Sequence, residues 1–377
     1  MSTTPKATSS QRFTRWHMVM QNLRARPLRS VLSIVAVSLQ VFLVLLIVGL
    51  TTGVLADWGE RAEGVGADLM VQPPNASIFF AFSGAMMPES VYDKILQAPG
   101  VDEAAPVFIL VNTGNLNVIY GIDETRFEGL SRGFQFVSGH GLQNPDDVIA
   151  DDLAAQGQHL HVGQHIRLMN RDFNVAGIVV HGKGARFFIQ LRTAQDIAGN
   201  ERRISMVYVR SKGNTDATRE ALVSALPNKY IVRSMAEYLT LMSSSNLPEL
   251  RPFIRAFLIL GAGVSFLVIL LTMHTMVLER TREIGILKAL GTSRLGILGL
   301  IEVEASMMAV IGAILGLVIT FSTVAILRHS SPTLQIRISS IWIVRAVAMA
   351  LMASALGALY PSYRAAQCDP IEALSYE

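Results

Sequence analysis

Four long apolar stretches divide the chain and predict four transmembrane helices. They cover residues 30–56, 253–278, 305–327 and 341–361. Each is as long as the roughly 20 apolar residues that a helix needs to cross a bilayer. The last contains Arg345 near its start, from which a long side chain can reach the membrane surface. Apolar helices of this length are not typical of a soluble core.

The mixed segment between the first two stretches, residues 57–252, predicts an α/β domain. Apolar or alternating runs bounded by Gly, Pro and Asn are typical of strands, and other runs repeat with a helical period. Strands are predicted over residues 67–72, 106–112, 115–122, 165–180, 187–191 and 204–211, and helices over residues 88–101, 146–157 and 215–228. The last of these helices is expected to begin at a Thr or Asp cap. Residues 233–252 are expected to lead back to the membrane as a helix.

Composition and charge support a membrane protein and predict its orientation. Hydrophobic residues make up 51% of the sequence and charged residues only 16%, whereas soluble proteins contain about 25% charged residues. Basic residues precede the first stretch and lie between the second and third. By the positive-inside rule, both termini and residues 279–304 are cytoplasmic, while residues 57–252 and the loop 328–340 are outside. The basic residues concerned are Lys6, Arg12, Arg15, Arg24, Arg26, Arg29, Arg280, Arg282, Lys288, Arg294 and Arg364.

The expected fold class is an α-helical membrane protein with four transmembrane helices plus a large mixed α/β periplasmic domain inserted between the first and second helices. The sequence has one cysteine, Cys368, so the domain is expected to fold on its hydrophobic core without an internal disulfide. The first stretch exceeds the apolar region of a cleaved signal peptide. We therefore expect it to remain as an anchor and to begin a stalk, and residues 362–377 to form a cytoplasmic tail.

The cytoplasmic tail of residues 1–29 contains a short amphipathic pattern. Phe13, Trp16, Met20 and Leu23 recur at spacings of three and four, with arginines between them. This pattern is typical of a helix lying on the membrane surface. A plain basic linker next to the membrane is the alternative interpretation.

Motifs for catalysis or metal binding are incomplete. "GIVVHGKG", residues 177–184, has the spacing that begins a P-loop, but Gly184 stands where Ser or Thr must bind magnesium, and the following residues predict a strand. A glycine turn between strands is the better interpretation. His159, His161 and His165 lie close in sequence, but no nearby carboxylate or cysteine completes a metal site, which favours a polar turn. We expect no catalytic residue, metal or cofactor in this chain, and we read the acidic residues at 146–152 as the start of a helix.

The segment between the second and third apolar stretches contains a short charged helix, "ERTREIGILKALG". Ile284, Leu287 and Leu290 align on one face of it, and charged residues take other positions. Gly291 is a suitable residue to end the helix, and Thr292 or Ser293 can cap the next one. Two interpretations remain open: a connector on the membrane surface, or a helix that docks into a groove on a partner.

This segment resembles the signature of the FtsX-like permeases, a type VII ABC transporter family that includes macrolide exporters and lipoprotein-releasing permeases. The ending "YPSYRAAQCDPIEALSYE" is similar to that family's C-terminus, in which a Pro closes the last span. Residues 147–179 and 204–228 resemble its periplasmic domain, and the order of spans agrees with the family.

The resemblance implies a permease subunit in the bacterial inner membrane. Its implied partners are two copies of a separate ABC ATPase, which binds ATP and Mg²⁺, a second permease copy or homologue, a periplasmic adaptor protein and membrane lipids, with no nucleic acid. The implied ATPase-coupling residues are Glu279, Arg282, Glu283, Ile284, Leu287, Lys288, Leu290 and Gly291.

The implied function is mechanical. Motion of the ATPase would reach the periplasmic domain through stalk helices that continue the first two spans, for export or extraction of a hydrophobic or periplasmic substrate. The alternative is an FtsX-like regulator that activates a periplasmic cell-wall hydrolase or a sensor. The sequence does not distinguish these two, nor does it identify the substrate.

Overall fold

The computed structural model describes residues 27–74, 76, 84–112, 117–227, 229–242 and 250–367. The described residues form two units. The helical unit comprises residues 27–50, 250–326 and 336–367, and the α/β unit comprises the described residues of 51–242 together with 327–335. Phe13, Trp16, Met20 and Leu23, for which a surface helix was predicted, lie outside the described residues, as does the tail after Gln367.

The helices and strands follow in chain order. The helices are α1 (Pro27–Glu63), α2 (Ser90–Leu96), α3 (Glu124–Ser131), α4 (Asp152–Gln158), α5 (Leu191–Ala198), α6 (Thr215–Ala225), α7 (Met235–Leu241), α8 (Leu250–Glu279), α9 (Thr281–Ala289), α10 (Arg294–Ser330) and α11 (Ser340–Gln367). The strands are β1 (Leu69–Gln72), β2 (Met87–Pro88), β3 (Val101–Asn112), β4 (Asn117–Ile122), β5 (Phe136–Gly139), β6 (Asp147–Asp151), β7 (His165–Leu168), β8 (Arg171–Val179), β9 (Phe187–Gln190), β10 (Arg203–Ile204), β11 (Met206–Ser211) and β12 (Ile231–Ser234).

In the described part of the chain, four helices are long and apolar enough to cross a membrane: α1, α8, α10 and α11. Helices α1 and α10 have 37 residues each, and at about 1.5 Å per residue each is roughly 55 Å long. The hydrocarbon core of a bilayer is only about 30 Å thick. Large apolar side chains such as Ile259, Val318, Ile326 and Val344 are exposed, as expected for helices that contact lipid.

Glycines let the backbones of these helices approach closely. A Cβ placed on Gly316 of α10 would lie 2.7 Å from the carbonyl oxygen of Ser38 in α1, and one on Gly312 would lie 2.8 Å from that of Ile34. Close packing at small residues is the usual way in which membrane helices associate. Hydrogen bonds add to it, since Ser354 Oγ of α11 donates to the carbonyl oxygen of Ala305 in α10 at 3.0 Å.

The last long helix continues past Pro361, the proline that was predicted to close the last span. Helix α11 continues to Gln367 with Pro361 buried inside it. The proline lacks the N–H that would bond to the carbonyl of Gly357. At Gly357 a Cβ would lie 2.8 Å from the carbonyl oxygen of Phe266 in α8, so this part of the helix is held by packing. Proline is tolerated in membrane helices whose neighbours support the backbone.

The α/β unit is built on one mixed sheet of ten strands. Its order is β12-β1-β11-β3-β4-β9-β6-β8-β5, and β7 pairs with β8. The β4–β9 and β6–β8 pairs are parallel and the other pairs are antiparallel. The core is rich in aromatic side chains: Phe108, Phe127, Phe173, Phe187, Phe188, Tyr208 and Tyr238 are fully buried.

Residues 146–157, predicted as one helix, form strand β6 followed by the short helix α4. Val148, Ile149 and Ala150 are fully buried between β8 and β9, and this burial in the sheet outweighs the local acidic pattern. Asp151 is the N-cap, because its Oδ1 accepts from the Ala154 N–H at 2.6 Å. The predicted acidic helix start therefore lies later in the chain than expected.

Other boundaries also differ from prediction. The single strand predicted over 165–180 is two strands, β7 and β8, which pair with each other. Helix α6 is capped by Asn214, whose Oδ1 accepts from the Asp216 N–H at 3.0 Å, and not by Thr or Asp. Within residues 233–252, Arg233 belongs to β12, and the helix α7 that follows covers only Met235–Leu241. Strands β2, β5 and β12 and helices α3 and α5 were not predicted.

Candidate coupling helix

Helix α9 is joined to α8 with almost no linker. Only Arg280 separates them, with φ −108° and ψ 14°. The Ile284 N–H donates to the Arg280 carbonyl at 2.9 Å, and Thr281 Oγ1 donates to the Leu278 carbonyl at 2.8 Å. The helix axis therefore changes at a single residue whose neighbours are hydrogen-bonded, so α9 is fixed to α8.

The other end of α9 is closed by a glycine. Gly291 has φ +90°, a conformation that glycine adopts without strain. Its N–H donates to the Lys288 carbonyl at 2.9 Å and the Thr292 N–H donates to the Leu287 carbonyl at 3.0 Å, which is the Schellman arrangement. Ser293 then caps α10, since its Oγ accepts from the Gly296 N–H at 3.2 Å. The sequence predicted both the glycine end and the Ser or Thr cap.

An ion pair ties this junction to α10. Arg280 Nη1 lies 3.6 Å from Glu304 Oε2, and Arg280 Nε lies 3.6 Å from Glu283 Oε2. Glu304 is only 2% exposed. A buried carboxylate is costly unless a positive charge lies close to it, so Arg280 both neutralises Glu304 and holds the start of α9.

The inner side of α9 is apolar. Ile284 is buried in the same cluster as Ile297 and Ile301 of α10. Beside it lies a groove of about 320 Å³ whose walls include Leu287, Leu300 and Glu304. These contacts account for the orientation of α9, because they place one side of the helix against α10.

The outer side of α9 exposes large apolar side chains. Ile286 is 45% exposed and Leu290 is 79% exposed, and Leu295 at the start of α10 is 80% exposed. The side chains of Arg282 and Glu283 are exposed around them. Exposed apolar side chains bordered by charges are typical of a surface that a partner covers.

The residues of the predicted apolar strip do not all lie on the same side of α9. Ile284 faces inward, Leu287 is half-buried and Leu290 faces outward, because the helix lies against α10 and cannot present its whole apolar face. Arg280 and Leu295 were not among the predicted coupling residues. The sequence feature that could have identified Arg280 is Glu304. A carboxylate beside a long apolar stretch requires a counter-charge.

The other motifs have structural roles. The glycine turn predicted over 177–184 is confirmed, because β8 ends at Val179 and the turn leads into strand β9 at Phe187 and not into a helix. Lys183 Nζ donates to the Ser131 carbonyl. His159 ends α4, and among the described residues no group of three or more His, Cys, Asp or Glu is arranged to hold a metal ion.

Two protein families match most of the chain. Residues 30–225 match the family described as MacB-like periplasmic core domain. Residues 255–370 match the family described as FtsX-like permease C-terminal. The second match includes α9 and its junctions with α8 and α10.

Similar proteins are named as permeases. The chain is 25% identical to the uncharacterised ABC transporter permease MJ1507 of Methanocaldococcus jannaschii, over 58% of this chain and 59% of that protein. It is 24% identical to the uncharacterised ABC transporter permease YvrN of Bacillus subtilis, over 95% of this chain and 98% of that protein. It is also 24% identical to the macrolide export ATP-binding/permease protein MacB of Azoarcus, over 95% of this chain and 58% of that protein.

Among solved structures, the chain is similar to the periplasmic region of MacB from Actinobacillus actinomycetemcomitans. The identity is 16% and the TM-score 0.37, over 48% of this chain and 95% of that structure.

Proposed function

The chain belongs to the family of FtsX-like permeases with a MacB-like periplasmic core domain, and from that premise we propose that it is the membrane subunit of an ABC transporter that transmits motion from an ATPase to its α/β unit. ATP and Mg²⁺ are bound by two copies of a separate ATPase chain, and a second permease copy or homologue completes the complex. Similarity over nearly the whole of both chains to YvrN, a protein named as an ABC transporter permease, supports a permease subunit.

The proposed orientation places both termini and α9 in the cytoplasm and the α/β unit in the periplasm. It is supported by the basic residues before α1 and around α9. In this orientation α9 faces the ATPase. The proposed work of the α/β unit is export or extraction of a hydrophobic or periplasmic substrate, in keeping with relatives named for macrolide and pyoverdine export.

The observation that carries the proposal is the exposed apolar end of α9. Leu290 and Ile286 stand outward on a short helix that is fixed at both ends. A helix that presents apolar side chains to a groove is a recurring mode of protein recognition. Because Arg280 joins α9 to α10 through Glu304, a force on α9 would move α8 and α10 together.

The experiment is co-purification of the ATPase with permease variants from detergent. Burying a leucine contributes about 1.5–3 kcal/mol, and a charge forced into the same apolar groove costs more. Leu290→Glu should therefore reduce ATPase retention by at least about tenfold, while Leu290→Met should retain it. Leu287→Glu should have a smaller effect on binding, because Leu287 is half-buried within the permease itself.

Leu96→Glu is the matched control. Leu96 is an exposed leucine at the end of the short helix α2 in the α/β unit, and this substitution should leave ATPase retention unchanged. A connector that only rests on the membrane surface predicts no loss for Leu290→Glu. Retention at the parent level in that variant, with the permease correctly inserted, would refute docking through α9.

A further inference from the structure

Arg186 is the centre of a buried ionic cluster within the α/β unit. Its Nη1 lies 3.0 Å from Asp151 Oδ2, at the end of β6. Its Nη2 lies 3.1 Å from Asp57 Oδ2 in α1 and donates to the Thr333 carbonyl at 3.0 Å. The Arg186 side chain is only 6% exposed. One guanidinium therefore binds three segments that are far apart in the sequence.

The end of α1 also contacts the glycine turn of residues 177–184, which precedes Arg186 in the chain. Arg61 Nη2 lies 3.1 Å from Asp57 Oδ2, and the Gly184 N–H donates to the Arg61 carbonyl at 2.8 Å. A Cβ on Gly64 would lie 1.9 Å from the Gly182 carbonyl oxygen, so α1 and this turn are in direct contact. The glycine turn that resembles the start of a P-loop therefore packs against the end of α1.

The connection between α10 and α11 also reaches Arg186, whose Nη2 contacts both Asp57 and the Thr333 carbonyl. Residues 327–335 belong to the α/β unit. A Cβ on Gly157 of α4 would lie 3.4 Å from Pro332 Cδ and 4.0 Å from Thr333 Cγ2. The loop thus packs on α4 while its carbonyl at position 333 binds Arg186.

Each buried charge in this cluster depends on its oppositely charged partners. Burial raises the pKa of the Asp151 carboxyl, and the neighbouring Arg186 opposes that shift. Removing one partner from a buried ion pair leaves an uncompensated charge. The planar guanidinium can hold several acceptors at once, which a lysine ammonium does less well.

We propose that Arg186 is a positioning residue that fastens the α10–α11 connection to the end of α1, so that α10 and α11 move the α/β unit together with α1. This goes beyond the proposed function, which has a force on α9 move α8 and α10 together and assigns no role to the loop that follows α10. It assigns a second mechanical input to the loop between the last two long helices. The contact is internal to the chain, and it is tested without ATP or an ATPase.

The experiment is disulfide formation between cysteines at positions 157 and 333 in the full-length protein. Gly157→Cys and Thr333→Cys are introduced with Cys368→Ser, which removes the one native cysteine. Oxidation should crosslink the pair rapidly, and Arg186→Met should slow crosslinking by about tenfold or more, because the loop loses its buried anchor. Arg186→Lys should restore part of the rate.

Arg210→Met is the matched control. Arg210 also pairs with two carboxylates, Asp102 at 3.2 Å and Glu103 at 3.0 Å, and it donates to the carbonyls of Gly129 and Leu130. This variant should crosslink at the parent rate, which separates loss of the loop anchor from general loss of an arginine.

Three outcomes overturn the inference: a parent pair that does not crosslink, an Arg186→Met variant that crosslinks at the parent rate, or equal slowing in the Arg210→Met control. If Arg186→Met does not fold, Asp57→Asn replaces it, and an unchanged rate in that variant is equally decisive. Because crosslinking is measured without an ATPase, loss of the Arg186 contacts and failure of α9 docking are measured independently.

Discussion

The helical unit and the α/β unit have interiors of opposite kinds. Among the described residues of the helical unit, the buried apolar cluster contains no aromatic side chain, and alanines such as Ala305, Ala309 and Ala350 lie in it beside aliphatic side chains such as Ile269 and Met308. In the α/β unit the largest fully buried side chains are aromatic, and Phe188 packs against Phe134 and Phe127 with ring centroids 4.9 and 5.9 Å apart. Gly312 and Gly316 let helix backbones approach closely in the helical unit, whereas aromatic rings fill the core of the α/β unit.

This difference decides which substitutions each unit tolerates. Helices that approach through Gly312 and Gly316 have no space for added atoms. A sheet core built on phenylalanine rings loses stability when atoms are removed. The two units should therefore respond with opposite sensitivity to volume gained and volume lost.

The largest effect is expected for Phe188→Ala. This side chain is fully buried in the α/β unit, and deleting such a ring costs about 3–5 kcal/mol of unfolding free energy. Urea-dependent proteolysis of the full chain in detergent, followed at cleavage sites in the sheet, measures the loss. Phe188→Leu should lose clearly less. A loss below about 1 kcal/mol in Phe188→Ala would remove the contrast between the two interiors.

A smaller effect is expected for Gly316→Ala, which adds side-chain volume where Phe188→Ala removes it. The added Cβ would meet the Ser38 carbonyl oxygen at 2.7 Å and Val41 Cβ at 2.9 Å, and such overpacking costs about 1–3 kcal/mol. Gly263→Ala is the control, because a Cβ there meets nothing within 4 Å. That control should be neutral or stabilising by up to about 1 kcal/mol. Thermal aggregation in detergent compares the two variants, and equal midpoints would contradict the packing described.

A local effect is expected for Gly291→Ala. At φ +90° an alanine is strained by roughly 1–2 kcal/mol, although neither unit's interior changes. Amide hydrogen exchange over residues 281–292 should become faster, while exchange in the sheet stays the same. Gly299→Ala in α10, where no positive φ is required, should leave exchange in α9 unchanged. Faster exchange throughout the chain would show that α9 is not an independent local element.

The smallest effect is expected for Ser354→Ala. This side chain donates to the Ala305 carbonyl across two helices, and such hydrogen bonds between membrane helices contribute about 0.6 kcal/mol on average. A shift of the thermal midpoint close to the limit of measurement is expected. A loss as large as that of Gly316→Ala would mean that polar contacts, and not small residues, hold the helical unit together.

The sequence predicted the helical unit well because its signal is local. Long apolar runs identified α1, α8, α10 and α11, and Gly291 and Ser293 marked the end of α9 and the start of α10. Most strands were predicted from alternation. At residues 146–157 the prediction failed, because whether Val148 and Ile149 enter a sheet depends on β8 and β9, which come later in the chain.

The candidate site shows the same limit. Helical spacing placed Ile284, Leu287 and Leu290 on one face, but which part of that face is covered depends on the position of α10. The Arg186 cluster could not be predicted at all. It joins Asp57, Asp151 and Thr333, and no periodicity in the sequence links positions separated by such distances.

Helix α10 is continuous over its whole length. The helix contains no proline, and it runs from the end of the α9 connector to the loop that Arg186 holds. A displacement applied at Arg294 can reach Ser330 as a movement of one stiff rod, without melting and re-forming a turn.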